Sequence, residues 1–196
     1  MATKSVIRSL LAKRIQEMPI TERAAESERL CNRVRSLTGN TIGIYLALPD
    51  EPDLRSALTR LLDSGITLAL PFPQSDGSWT FQEIHQLDAE SRDTWGLGFP
   101  PPGQRIPPEN LHRILVPGRG FTPDGHRLGR GKGIYDRLLA GTSAQKIGVC
   151  FSCQMIDELP TSGHDIRMDE VWCGPPGDFI RCVPQRTPGF PRNPFA

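Results

Sequence analysis

Between Thr41 and Phe72 the chain reads TIGIYLAL, then PDEPD, then LRSALTRLLDS, then Gly65, then ITLALPF. Two short, nearly all-apolar runs flank an amphipathic segment. The runs are too short for core helices and are rich in strand-forming residues, so they read as strands. The segment between them reads as a helix that Asp53 caps and Gly65 stops. A strand, a helix and a second strand in succession point to a βαβ unit with parallel strands. Strands without polar alternation belong to a sheet covered on both faces. This one unit therefore constrains the chain to a layered α/β architecture.

The remaining segments extend the same plan. RILVP (113–117), KIGVCFS (146–152) and DEVWC (169–173) read as further strands, and WTFQEI follows a turn at Gly77. Residues 4–17 place Val6, Ile7, Leu10, Leu11 and Ile15 on one helical stripe, which Pro19 ends. A second helix is expected from Glu22 to Leu37, capped by Thr21 and closed by Gly39, and a fourth from Ile134 to Ala140. GLGFPPPGQRIPP (96–108) is too proline-rich for a helix or a central strand. A length of 196 residues suits one core. The expected fold is a single three-layer α/β domain, Rossmann-like, with a mostly parallel central sheet flanked by helices. It spans residues 1–174. Residues 175–196 form a proline-rich C-terminal tail, most of it outside the core.

Charge and cysteine content narrow the function. A net charge of +1 argues against a general polyanion binder but not against a local phosphate site. No RNP-like aromatic pattern or GXXG clamp supports RNA binding, so no nucleic-acid partner is expected. No apolar run approaches the roughly 20 residues of a membrane span. The N-terminus is basic but is not followed by a signal-peptide block; a cytoplasmic location is expected, with organelle targeting as the alternative. The five cysteines are scattered. Cys150 and Cys153 form one C-x-x-C inside an apolar run, where strand side chains are the simpler reading than a zinc or redox pair.

The stretch RLGRGKGIYDR, Arg127 to Arg137, lies between a predicted strand and a predicted helix. Glycine lacks Cβ, so backbone N–H groups can turn toward a phosphate. The helix N-terminus adds a positive field. Arg127, Arg130 and Lys132 can donate charge-assisted hydrogen bonds. Asp136 fits that company where a divalent cation stands between carboxylate and phosphate. The pattern is neither a Walker loop nor a dinucleotide fingerprint. From these residues alone, a phosphate site and an ordinary surface loop with Asp136 paired to Arg137 both stand.

ILVPGRGFTPDGHRLGRGKGIYDRLLA resembles the signature of the 5-formyltetrahydrofolate cyclo-ligases, also called methenyltetrahydrofolate synthetases. The likeness extends to Lys4 and Arg8, to YLALPDEPD, to ALPFP and to IGVCFSCQMIDELPTSGHDIRMDEV, and so covers residues 4–173. The resemblance implies ATP- and Mg²⁺-dependent closure of 5-formyltetrahydrofolate to 5,10-methenyltetrahydrofolate, with ADP and phosphate released through a phosphorylated formyl intermediate. It implies a small-molecule folate partner, no membrane partner, and a monomer or homodimer. By the same likeness Lys4, Arg8, Arg127, Gly129, Arg130, Gly131, Lys132, Gly133, Ile134, Tyr135, Asp136 and Asp165 would bind the nucleotide. Asp136 and Asp165 would hold the metal. Arg130, Lys132, Tyr135 and Asp136 would be catalytic. Tyr45, Glu51, Trp95, Ile134, Tyr135 and Gln154 would face the folate.

The chain departs from the family pattern at four places. Ile134 stands where the family has the first tyrosine of a pair, and Thr122 where it has an aspartate. Phe99-Pro100 replaces Glu-Pro, and His112-Arg113 replaces an acid-hydrophobic strand start. These changes leave open a relative acting on another N-formyl substrate, or a divergent paralogue that binds ATP as a non-catalytic or interaction module.

Overall fold

The computed structural model describes residues 2–88, 91–92, 98–163, 165–174 and 179–181. In chain order the helices are α1 (Lys4–Glu17), α2 (Ile20–Val34), α3 (Arg55–Asp63) and α4 (Ile134–Leu139). The strands are β1 (Thr41–Gly43), β2 (Thr67–Pro73), β3 (Trp79–Ile84), β4 (Ser91–Arg92), β5 (Gly98–Phe99), β6 (Arg105–Ile106), β7 (Arg113–Pro117), β8 (Gly120–Phe121), β9 (Arg127–Leu128), β10 (Gln145–Cys150), β11 (Glu170–Cys173) and β12 (Phe179–Arg181).

Eight strands form one sheet in the order β12-β11-β10-β7-β1-β2-β3-β6. The five from β11 to β2 run parallel, and β12, β3 and β6 join antiparallel at the edges. Both faces are buried, as the unbroken apolar strands predicted. Ile42, Leu68, Leu70, Leu115, Ile147 and Val149 point to one face, where Leu30 and Val34 of α2 and Leu58 and Leu61 of α3 cover them. Ala69, Ile114, Val116 and Val171 point to the other, under Phe121 and under Leu138 and Leu139 of α4. The result is the expected three-layer α/β domain. No helix among the described residues is long and apolar enough to cross a membrane.

Several boundaries differ from the sequence-based expectation, each for a local reason. The first strand stops at Gly43 rather than Leu48. Ile44 N–H still donates to Ala69 O at 2.8 Å. The next donor in that parallel ladder falls to Pro71, which has no N–H. Residues 45–53 therefore leave the sheet. Helix α2 starts at Ile20, directly after Pro19, and has no side-chain cap, so Thr21 is not its cap. It ends at Val34, where Ser36 N–H bonds Arg33 O and Leu37 N–H bonds Val34 O in a tightened last turn. Asp53 sits one residue outside the expected cap position. Its carboxylate accepts from Arg55 N–H at 2.9 Å, and Leu54 is the N-cap. The apolar stripe of α1 is split: Leu11 and Ile15 are buried, whereas Val6 and Leu10 are exposed.

Strand β10 ends at Cys150, not at residue 152. The buried Glu26 carboxylate of α2 accepts from Ser152 N–H at 2.8 Å, and Gln154 Oε1 accepts from Phe151 N–H at 2.8 Å. These side chains satisfy the donors that a longer strand would need, and the chain bends into a short 3-10 turn, Ser152–Gln154. That turn supports α1. A Cβ at Gly120 would run into Leu11 Cδ1, so glycine lets the Leu11 side chain of α1 settle close against β8. In the segment expected as tail, Phe179–Arg181 pairs with β11.

Candidate active site

Parallel strands release their chains at one end of the sheet, and ligands of open α/β folds bind beyond those carboxyl ends. A cavity of about 800 Å³ lies there. The segment after β1 supplies Tyr45, Leu46, Leu48 and Glu51, the end of β2 supplies Leu70, Pro71 and Pro73, and the end of β7 supplies Pro117 and Gly118. Trp79 opens β3 and completes an apolar wall. The rest of the lining comes from Lys4 and Arg8 of α1, the stretch from Arg127 to Asp136, and Asp165. A smaller cavity of about 270 Å³ adjoins the first and shares Tyr45, Leu46, Leu48 and Glu51 with it.

The glycine stretch has the geometry its composition requires. Gly131 has φ +99° and Gly133 φ +63°, a left-handed backbone that side chains resist. Gly133 is the N-cap of α4, which carries Ile134, Tyr135 and Asp136 into the cavity wall. Arg8 Nε donates to Gly129 O at 2.8 Å, tying α1 to the loop.

The charged groups are arranged in pairs. Lys4 Nζ lies 2.7 Å from Asp165 Oδ2. Burial alone would raise the Asp165 carboxyl, but hydrogen bonds from Lys4 and the Ser162 backbone, with the Lys4 charge, hold it below its ordinary range. The buried Arg127 side chain donates from Nη2 to Asp136 Oδ1 at 2.9 Å, so Asp136 pairs with Arg127 and not with the neighbouring Arg137. Arg127 Nε is buried without a hydrogen-bond partner.

Arg130 holds two acids. It donates to Glu51 Oε1 from Nε at 3.1 Å and Nη2 at 2.8 Å, and to Asp50 from Nη2 and Nη1. Arg119 pairs with the same Asp50. Burial pushes the Glu51 carboxyl up, and Arg130 only partly opposes this. At Asp50 the order reverses: burial would raise it, but the two arginines prevail and lower it. Burial raises the Tyr135 hydroxyl, which therefore stays protonated in the physiological range, and Glu51 adds to the rise. Tyr45 OH donates to Pro52 O at 2.9 Å and holds the wall in place.

Of the residues singled out in the sequence, the structure brings Lys4, Arg8, Tyr45, Glu51, Arg127, Gly129, Arg130, Gly131, Lys132, Gly133, Ile134, Tyr135, Asp136 and Asp165 to this one cavity. Gln154 is not among them. It is fully buried beneath the β7–β8 turn, where Nε2 donates to Gly118 O at 2.8 Å and Arg119 O at 3.2 Å. Trp95 lies outside the described residues. Thr122, also singled out, is buried in a turn and accepts from His126 N–H at 3.0 Å.

A sequence model of the 5-formyltetrahydrofolate cyclo-ligase family matches residues 1–174. The chain belongs to this family of ligases. It is similar to the 5-formyltetrahydrofolate cyclo-ligase of Mycolicibacterium smegmatis, with 32% identity over 183 residues, 86% of this chain and 92% of that protein. The mouse 5-formyltetrahydrofolate cyclo-ligase is 25% identical over 194 residues, 87% of this chain and 93% of that protein. The solution structure of Aquifex aeolicus 5,10-methenyltetrahydrofolate synthetase superposes with a TM-score of 0.80 at 29% identity, covering 96% of this chain and 97% of that one.

Within this cyclo-ligase fold, sequence reasoning missed Asp50, Arg119 and the apolar wall of Leu46, Leu48, Leu70, Pro71, Pro73 and Trp79. The adjacent acids Asp50-Glu51 directly after an apolar strand were a usable signal. Trp79 gave none, because an aromatic residue opening a hairpin strand is ordinary strand chemistry.

Proposed function

We propose that this protein closes 5-formyltetrahydrofolate to 5,10-methenyltetrahydrofolate, with ATP split to ADP and phosphate through a phosphorylated formyl intermediate. One observation carries the reading: a single cavity joins a cationic, glycine-built part to an apolar part, and the buried Glu51 carboxylate pairs with Arg130 where the two meet. The first suits a polyphosphate. The second suits a flat heteroaromatic ring with hydrogen-bonding edges.

An N-formyl oxygen is a poor leaving group, whereas a phosphate is a good one. Transfer of the γ-phosphoryl group to that oxygen, followed by attack of N10 on the activated carbon, releases phosphate. Such transfer needs alignment and charge neutralisation more than a protein nucleophile. Lys4, Arg8, Arg127, Arg130 and Lys132 surround the space beside Gly129–Gly133 and supply that charge. Tyr135, protonated, acts as a hydrogen-bond donor and not as a base. Glu51 accepts from the substrate's ring N–H groups, and Tyr45 and Ile134 pack against the ring. In this reading Arg130, Lys132, Tyr135 and Asp136 form the catalytic group.

Among the described residues no cluster of three or more His, Cys, Asp or Glu is gathered for a metal. Mg²⁺ does not require one, since it commonly keeps waters and takes one or two carboxylates together with substrate phosphates. Asp136 and Asp165 on the nucleotide wall fit that demand, and the ion would neutralise charge on the transferring phosphate.

The test is direct. The purified protein, ATP, Mg²⁺ and 5-formyltetrahydrofolate should yield the longer-wavelength absorbance of the methenyl product, with one ADP per product. No product and no ADP would overturn the reading. Ile134 favours a second reading, turnover of a different N-formyl compound, because it presents only apolar volume in the cavity. ADP release with another N-formyl substrate, and none with 5-formyltetrahydrofolate, would select it.

A further inference from the structure

We infer that Asp50 and Arg119 form an exchange pair that frees Arg130 to meet the nucleotide; the inference rests on the nucleotide site proposed above. A guanidinium presents its N–H groups along two in-plane edges. Both edges of Arg130 are engaged. The Nε/Nη2 edge meets Glu51 Oε1 at 3.1 and 2.8 Å, and the Nη1/Nη2 edge meets the Asp50 carboxylate. A phosphate that takes Arg130 through two N–H groups along one edge must displace one of the two acids.

The structure decides which. The Glu51 side chain is 5% exposed. Apart from Arg130, it accepts from Leu48 N–H at 3.1 Å. Stripping its cation would strand a buried carboxylate, the more costly choice. The Asp50 side chain is 29% exposed and is already paired with Arg119. Released by Arg130, it keeps a full counter-charge and gains water. Arg119 can serve because its backbone is held on both sides. Its N–H donates to Leu128 O at 2.7 Å, and its carbonyl accepts from Gln154. Neither Asp50 nor Arg119 is among the residues lining the large cavity. They act on the nucleotide through Arg130, as positioning residues.

This arrangement predicts opposite effects for the two partners. Without Arg119, Asp50 has only Arg130 and holds it back. Without the Asp50 charge, nothing competes for the Nη1/Nη2 edge, while Glu51 keeps the other. Titration calorimetry of ATP with Mg²⁺ against wild type, Arg119→Gln, Asp50→Asn and the double variant tests this as a double-mutant cycle. Arg119→Gln should weaken ATP binding about tenfold, the scale of one charge-assisted hydrogen bond. Asp50→Asn should bind ATP at least as tightly as wild type. The double variant should return to within about threefold of wild type, because removing the competitor removes the need for its second cation. Arg119→Lys keeps a cation and should bind as wild type does, which maintains the test if Arg119→Gln folds poorly.

A double variant as weak as Arg119→Gln, or an Asp50→Asn as weak as Arg119→Gln, overturns the exchange. So does unchanged affinity in Arg119→Gln. These results leave the functional reading standing. No ATP binding by wild type overturns both. Tight ATP binding without folate turnover overturns only the proposed reaction.

Discussion

Gln154 separates a framework residue from a substrate contact. Replacing it with leucine keeps the volume, so no large cavity term arises. Three polar groups lose their Gln154 partner: Phe151 N–H and Gly118 O, both buried, and the part-buried Arg119 O. A buried group left unsatisfied costs about 1–3 kcal/mol, and orphaned carbonyls stand at the lower end because each has two acceptor sites. The sum is about 3–4 kcal/mol. For a chain near 200 residues, one kcal/mol moves Tm by about 2–4 °C, so Gln154→Leu should lower Tm by about 10 °C. Circular dichroism melts measure this, and steady-state assays at a temperature well below the new Tm measure KM. KM for 5-formyltetrahydrofolate should stay within about twofold, since no Gln154 atom lines the cavity. Gln154→Glu should be less stable at neutral pH than in acid, because its second oxygen would face two carbonyl oxygens unless protonated. A Tm within about 2 °C of wild type, joined to a KM raised tenfold, would refute the framework role and restore Gln154 to the substrate.

Four further outcomes follow from the site. Arg130→Ala and Lys132→Ala should each weaken ATP binding by about one to two decades, the loss of a charge-assisted contact worth roughly 1.5–3 kcal/mol; calorimetric titration reads it. Asp136→Asn should lower kcat more than ATP affinity and shift the Mg²⁺ midpoint, seen in kinetics across a Mg²⁺ series. The Asp165 carboxyl is held below its ordinary value of 3.8 in the folded protein. Its contribution to stability is therefore present above that pH and lost as pH falls through the lowered value, and Asp165→Asn should narrow the gap between denaturation midpoints at pH 7 and in acid. Ile134→Tyr should raise kcat about tenfold, or 1.4 kcal/mol, if a missing hydroxyl limits the chemical step; both kinetic constants unchanged would move suspicion to Thr122 and Phe99.

The parallel core was legible because its signal is local and redundant. RILVP is apolar at every position but one and emerged as β7 without a shift at either end. The failures lie where a partner distant in sequence decides. TIGIYLAL has the composition of a full strand, yet Pro71 on the neighbouring strand ends its ladder after Ile44. KIGVCFS reads as a strand through Ser152, yet Glu26, 126 residues earlier, takes the Ser152 N–H. Neither constraint exists until the sheet order does.

The site shows the same limit in its electrostatics. Cations and acids were legible as separate sets, one for phosphate and one for metal or ring. The fold pairs the sets: Lys4 with Asp165, Arg127 with Asp136, and Arg130 with Asp50 and Glu51. Pairing lets several cations sit close together without mutual repulsion raising the cost of folding. It also sets a condition on binding. A phosphate that claims Arg127 or Lys4 leaves an acid without its cation, and a divalent metal that claims Asp136 or Asp165 leaves a cation without its acid. Taken together, phosphate and metal re-pair both sides; taken singly, each leaves partly buried charge uncompensated. Under the proposed function, this pairing favours their arrival as one complex and accounts for the acids among the cations.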